Sequence, residues 1–156
     1  MRTRFLLILC LAASLSAQKY NGPRPPKRDL VYLVHADNLI PTEDGEAKEE
    51  GKKDEPTYTI PGASSPARTP LAEPIFIIDT DKYTPSQFEL YKLDVKGNHR
   101  EAKVSRRRGS GSKALRVTVT MLDRGLYKLE ASEPLENGEY ALSPSSSTRV
   151  FCFEVY

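Results

Sequence analysis

Apolar residues recur at every second position through much of the C-terminal half of the chain. Leu115, Val117, Val119 and Met121 alternate with Arg116, Thr118 and Thr120, and Phe151, Phe153 and Val155 alternate with Cys152, Glu154 and Tyr156. A period of two marks strands with one face in a core and the other in water. The helical period of 3.6 is sustained nowhere. Strands are predicted over residues 30–34, 57–60, 75–78, 88–95, 100–104, 115–122, 126–131, 139–142 and 150–156, where branched and aromatic residues gather. Lys96-Gly97-Asn98, Asp123-Arg124-Gly125 and Asn137-Gly138 supply the turns between several of them. The pattern predicts an all-β protein, a single antiparallel β-sandwich. Its expected core is Leu33, Ile77, Leu90, Val117, Val119, Leu129, Tyr140, Leu142, Phe151 and Phe153.

The pattern fails at the N-terminus. Arg2 and Arg4 precede an unbroken apolar run over residues 5–13, followed by small Ser14, Ser16 and Ala17. The run is shorter than the roughly 20 residues that span a bilayer, so residues 1–17 are expected to be a Sec-type signal peptide. The expected destination is the periplasm or the exterior, with no transmembrane segment left after cleavage. Residues 18–28 are a Pro-rich leader, expected to be extended. Residues 29–156 would form the domain. Within it, residues 43–55 hold seven acids, three lysines and no apolar side chain larger than alanine. This composition predicts a mobile charged insert, with a short exposed helix as the alternative.

The stretch Glu133-Pro134-Leu135-Glu136-Asn137-Gly138-Glu139-Tyr140-Ala141-Leu142 resembles a connection found in Ig-like domains of exported bacterial proteins. There, a Pro-Leu pair, a glycine turn and a strand beginning with tyrosine lead into the final hairpin. The resemblance covers about the last 25 residues and implies an Ig-like sandwich, with no catalytic residues attached. The Cys and Trp hallmarks of antibody domains are absent, since the chain has no Trp and Cys152 is the one cysteine outside the signal peptide. Its neighbours Phe151 and Phe153 suggest a buried thiol, the alternative being a disulfide to a second chain.

Charge narrows the function classes. The chain holds 23 Lys+Arg and 21 Asp+Glu; losing Arg2 and Arg4 leaves 21 of each. Global basicity therefore argues for neither nucleic acid nor membrane. Locally, residues 92–116 hold nine cations against Asp94 and Glu101. Arg106, Arg107, Arg108 and Lys113, spaced by Gly and Ser, are the candidate anion-binding residues. An anionic polymer or surface would be the partner. Aromatic residues do not interleave there, so base stacking on nucleic acid has no platform. A solvated loop is the competing reading, and pairing with the acidic insert a third.

Catalytic signals are sparse. His35 and His99 lie apart with no Cys or carboxylate at metal-ligand spacing, no serine sits in a Gly-x-Ser-x-Gly elbow, and no phosphate loop occurs. Asp79-Thr80-Asp81 offers carboxylates for calcium or, more simply, turn caps. No cofactor is expected. The reading is a non-catalytic binding or structural module of the cell envelope or extracellular space, partnered by an anionic polymer or another envelope protein. The alternatives are polyanion binding through the basic loop and a small secreted hydrolase.

Overall fold

The computed structural model describes residues 19–104 and 111–156. Thirteen β-strands and no α-helix occur among them. Residues 1–17, expected to be a signal peptide, and the Arg106–Arg107–Arg108 run lie outside the described residues.

The smaller sheet is antiparallel throughout. It is built from β1 (Val31–His35), β2 (Asn38–Pro41), β7 (Ile75–Asp79), β10 (Val117–Asp123) and β11 (Leu126–Ala131), in the order β10-β11-β7-β1-β2. Val119, Leu129, Phe76, Leu33 and Ile40 face one another across all five strands. This row packs into the main core with Leu90, Tyr140, Leu142, Phe151 and Phe153 of the larger sheet. Eight of the ten expected core residues are buried. Val117 and Val119 are only partly so, because β10 is an edge strand.

The larger sheet has eight strands. Seven run in the order β3-β13-β12-β8-β9-β5-β4: β3 (Glu43–Glu46), β13 (Arg149–Val155), β12 (Gly138–Pro144), β8 (Phe88–Lys96), β9 (His99–Lys103), β5 (Glu55–Pro61) and β4 (Lys48–Lys52). The eighth, β6 (Arg68–Thr69), lies parallel to β13. The two ends of this path, β3 and β4, are separated in the chain by Ala47 alone. The sheet must therefore curl until its far edges meet one continuous stretch of backbone.

Two expectations are corrected here. Residues 43–55, expected to be an insert without strands, form β3, β4 and the first residue of β5 around a turn at Lys53-Asp54, with β3 paired to β13 and β4 to β5. Their composition speaks only to side-chain burial, and every side chain of β4 is indeed exposed. The backbone groups still find partners, and charged side chains are usual on strands that border a sheet. Nor does the larger sheet keep one face wet. Curling wraps that face around a second core of Ala47, Ile60, Leu93, Ala102, Ala141, Val150 and Cys152.

The Pro-rich leader, described from Lys19, forms no strand and is anchored by its arginines. Arg24 pairs with Asp123, and Arg28 bridges Asp79 and Asp81, each at 3.0 Å. The Asp79–Asp81 carboxylates considered for calcium thus hold a guanidinium, while the Thr80 hydroxyl donates to Asp29 at 2.6 Å.

Candidate functional site

Strand alternation sends Glu89, Tyr91 and Leu93 of β8 to the concave face of the curled sheet. They stand opposite Ser143, Ala141 and Glu139 of β12. On the far wall, Tyr58 and Ile60 of β5 stand opposite Ala102 and Arg100 of β9. Small Ala47, Ala102 and Ala141 leave the middle of this face unfilled. The result is a cavity of about 500 Å³, walled by strands and rimmed by residues 143–148. The cavity opens to solvent, and concave clefts of this kind are where small-molecule sites are usually found. The rim is tied down. Ser145 N–H donates to the Gln87 carbonyl at 2.9 Å and Ala47 N–H to the Thr148 carbonyl at 2.8 Å. Ser146 holds a left-handed φ of 61°, a conformation that costs a non-glycine residue and persists where surrounding bonds impose it.

Arg100 lies on the same face, one pleat beyond Ala102, with its side chain fully buried. All five guanidinium N–H groups are used. Nε donates to Gly62 O at 2.8 Å and Nη2 to Pro61 O at 2.8 Å. Glu43 takes a bidentate pair at 2.8 Å from Nη1 and Nη2, and Glu139 a further bond from Nη1 at 3.2 Å. Both oxygens of Glu139 also accept the Ser65 N–H at 3.1 Å. Burial opposes the Arg100 charge, but the Glu43 hydrogen bond and the neighbouring carboxylates more than offset it and raise its pKa. Burial likewise raises the Glu139 carboxyl, against the Ser65 and Arg100 contacts that lower it. One cation thereby joins β3, β9, β12 and the loop after β5, which holds the sheet in its curled form. The Cys152 thiol is fully buried near this cluster and burial pushes it up to about 12, so it is not poised as a nucleophile.

Comparison with known protein families, with curated proteins and with solved structures finds no match to this chain. Of the residues singled out in the sequence, Lys113 is exposed, while Arg106, Arg107 and Arg108 lie outside the described residues. His35 ends β1 in one sheet and His99 starts β9 in the other, its Nε2 3.5 Å from Glu101. No group of three metal-ligating side chains gathers among the described residues, and no described helix is long and apolar enough to cross a membrane.

Sequence reasoning missed the cavity and Arg100 alike. Arg100 counted there as one more cation of a solvated hairpin. A signal was present: Arg100 is in phase with Ala102 and Val104, which puts it on the apolar face of its strand. Tyr58, Tyr91, Glu49 and Glu89 carried no such signal, because the face they share is concave only after the sheet curls.

Proposed function

We propose that the protein is a non-catalytic binding module of the cell envelope or extracellular space, exported by residues 1–17, with its ligand site in the concave face of the curled sheet. The observation that carries this reading is the 500 Å³ cavity itself, lined by apolar, aromatic and hydroxyl side chains and by Glu49 and Glu89, most of them on paired strands. Small-molecule sites are concave, largely preformed and mostly apolar with a few placed polar groups. We read the architecture as a variant Ig-like β-sandwich whose larger sheet is extended and curled. Two antiparallel sheets sharing one core support this, as does the Tyr140 hydroxyl donating to Glu136 O at 2.8 Å. That back-bond four residues upstream is the arrangement of a tyrosine corner.

A neutral solvatochromic dye such as Nile red tests the site. Saturable binding with one dye per protein is expected. Ala102→Leu, which extends a side chain into the cavity, should abolish it while leaving thermal unfolding cooperative. Absence of binding, or equal binding by a folded Ala102→Leu variant, overturns the reading. Export has its own test: the mature protein should begin at Ala17 or Gln18 on N-terminal sequencing, and retention of Met1 in exported material removes this part of the proposal.

A further inference from the structure

The chain changes character between Arg28 and Asp29. From Asp29 onward the backbone is built into the fold. Asp29 N–H donates to the Asp79 carbonyl at 2.8 Å, and the Asp29 carboxylate accepts the Thr80 hydroxyl at 2.6 Å. The same Thr80 oxygen accepts the N–H groups of Lys82 and Tyr83, each at 3.1 Å, and β1 begins at Val31. Before Asp29 the attachment is of another kind. Among the described residues, no backbone group of residues 19–28 bonds to either sheet. Side chains hold the leader instead, Arg24 on Asp123 and Arg28 on Asp79 and Asp81. These are exposed pairs, which add little to stability and weaken in salt.

A pair of cations marks the boundary. Lys27 and Arg28 are both exposed, on a stretch that bends and turns over residues 26–29. Asp29 itself holds a left-handed φ of 60°, a conformation that is uncommon outside glycine. A protease takes its substrate as an extended segment, so it cuts a folded domain where the chain can lift away without breaking a sheet or opening a core. A long side chain with a delocalised charge is also what a carboxylate at the base of a specificity pocket reads. We infer that the bond between Arg28 and Asp29 is a processing site, at which an arginine-directed protease removes the leader and leaves Asp29 as the first residue of the domain. Hydrolysis adds water across this bond, giving Arg28 a carboxylate and Asp29 an α-ammonium. Arg28 departs with the leader and takes one cation from Asp79 and Asp81. The new ammonium supplies one cation in return, on a nitrogen that already lies 2.8 Å from the Asp79 carbonyl. The charge of this corner is conserved, and its bond to β7 is kept. The cut follows removal of the signal peptide, so material that has met no such protease still begins at Ala17 or Gln18.

The mature protein and a free peptide spanning residues 20–34 are treated with a limiting amount of an endoprotease specific for Lys-Arg pairs, and N-termini are sequenced over time. The folded protein is expected to yield the Asp29 terminus at a rate within about tenfold of the peptide's, because only exposed ion pairs have to open. A bond guarded by the fold would be reached only through global unfolding and cut about a thousandfold more slowly or worse. Lys27→Gln/Arg28→Gln should abolish the Asp29 terminus. The trimmed protein should lose the leader by mass and unfold cooperatively within about 3 °C of the intact chain. A thousandfold slower cut, an Asp29 terminus that persists in the double variant, or loss of the cooperative transition on trimming would overturn the assignment and make the leader part of the domain.

Discussion

Arg100→Ala is expected to lower the stability of the fold by about 3–5 kcal/mol, the range for breaking a buried ion pair from one side. The variant leaves the carboxylates of Glu43 and Glu139 facing each other without their cation, and leaves the Gly62 and Pro61 carbonyls without their donor. The effect should depend on pH. Burial already raises the Glu139 carboxyl in the intact protein, and loss of Arg100 raises it further. A carboxyl with a raised folded pKa favours the native state below its unfolded value, and that contribution is lost as pH rises through the folded value. The deficit of Arg100→Ala should therefore be largest near neutrality and shrink as pH falls toward the ordinary carboxylate range. Replacing all three charges together, Arg100→Met with Glu43→Gln and Glu139→Gln, should restore much of the loss. Urea unfolding of the set at two pH values is the check. An Arg100→Ala deficit under about 1 kcal/mol, or one that does not change with pH, would mean the cluster does not hold the curl.

Phe153→Ala is expected to cost about 3–5 kcal/mol through the cavity it opens. Phe153 is fully buried at the join of the two sheets. Its ring centroid lies 4.7 Å from that of Phe76 in the smaller sheet and 5.5 Å from that of Tyr140 beside it. Both rings belong to rigid strands that cannot close over the gap, since β13 is bonded to β12 on one side and to β3 on the other. The same denaturant analysis measures the effect. A shift worth less than about 1 kcal/mol would show that β13 does not carry the core.

Much of the fold was legible before any coordinates. The hairpins β8–β9, β10–β11 and β12–β13 fall where alternating runs meet Gly97, Gly125 and the Ser- and Pro-rich link. Periodicity and turn chemistry are local, and an antiparallel hairpin needs little else. Burial of Cys152 followed from its neighbours Phe151 and Phe153. The strands that escaped were β2, β3, β4 and β6. β2 is only four residues long, and β6 is two residues held by parallel pairing to β13. β3 and β4 are acidic, and composition reports what side chains can bury, not which backbone groups will find partners.

Sequence by itself determined that the chain is β, where its C-terminal hairpins turn and which side of each strand meets the main core. Those properties depend on residues a few positions apart. Tertiary structure alone decided that the acidic stretch bridges both edges of the larger sheet. That closure turned a face expected to be wet into a second core, placed Arg100 between Glu43 and Glu139, which lie 57 and 39 residues from it in the chain, and opened a cavity between Tyr58 and Tyr91. Curvature is a property of the whole sheet, set by which strands pair across it, and no window of sequence contains those pairings.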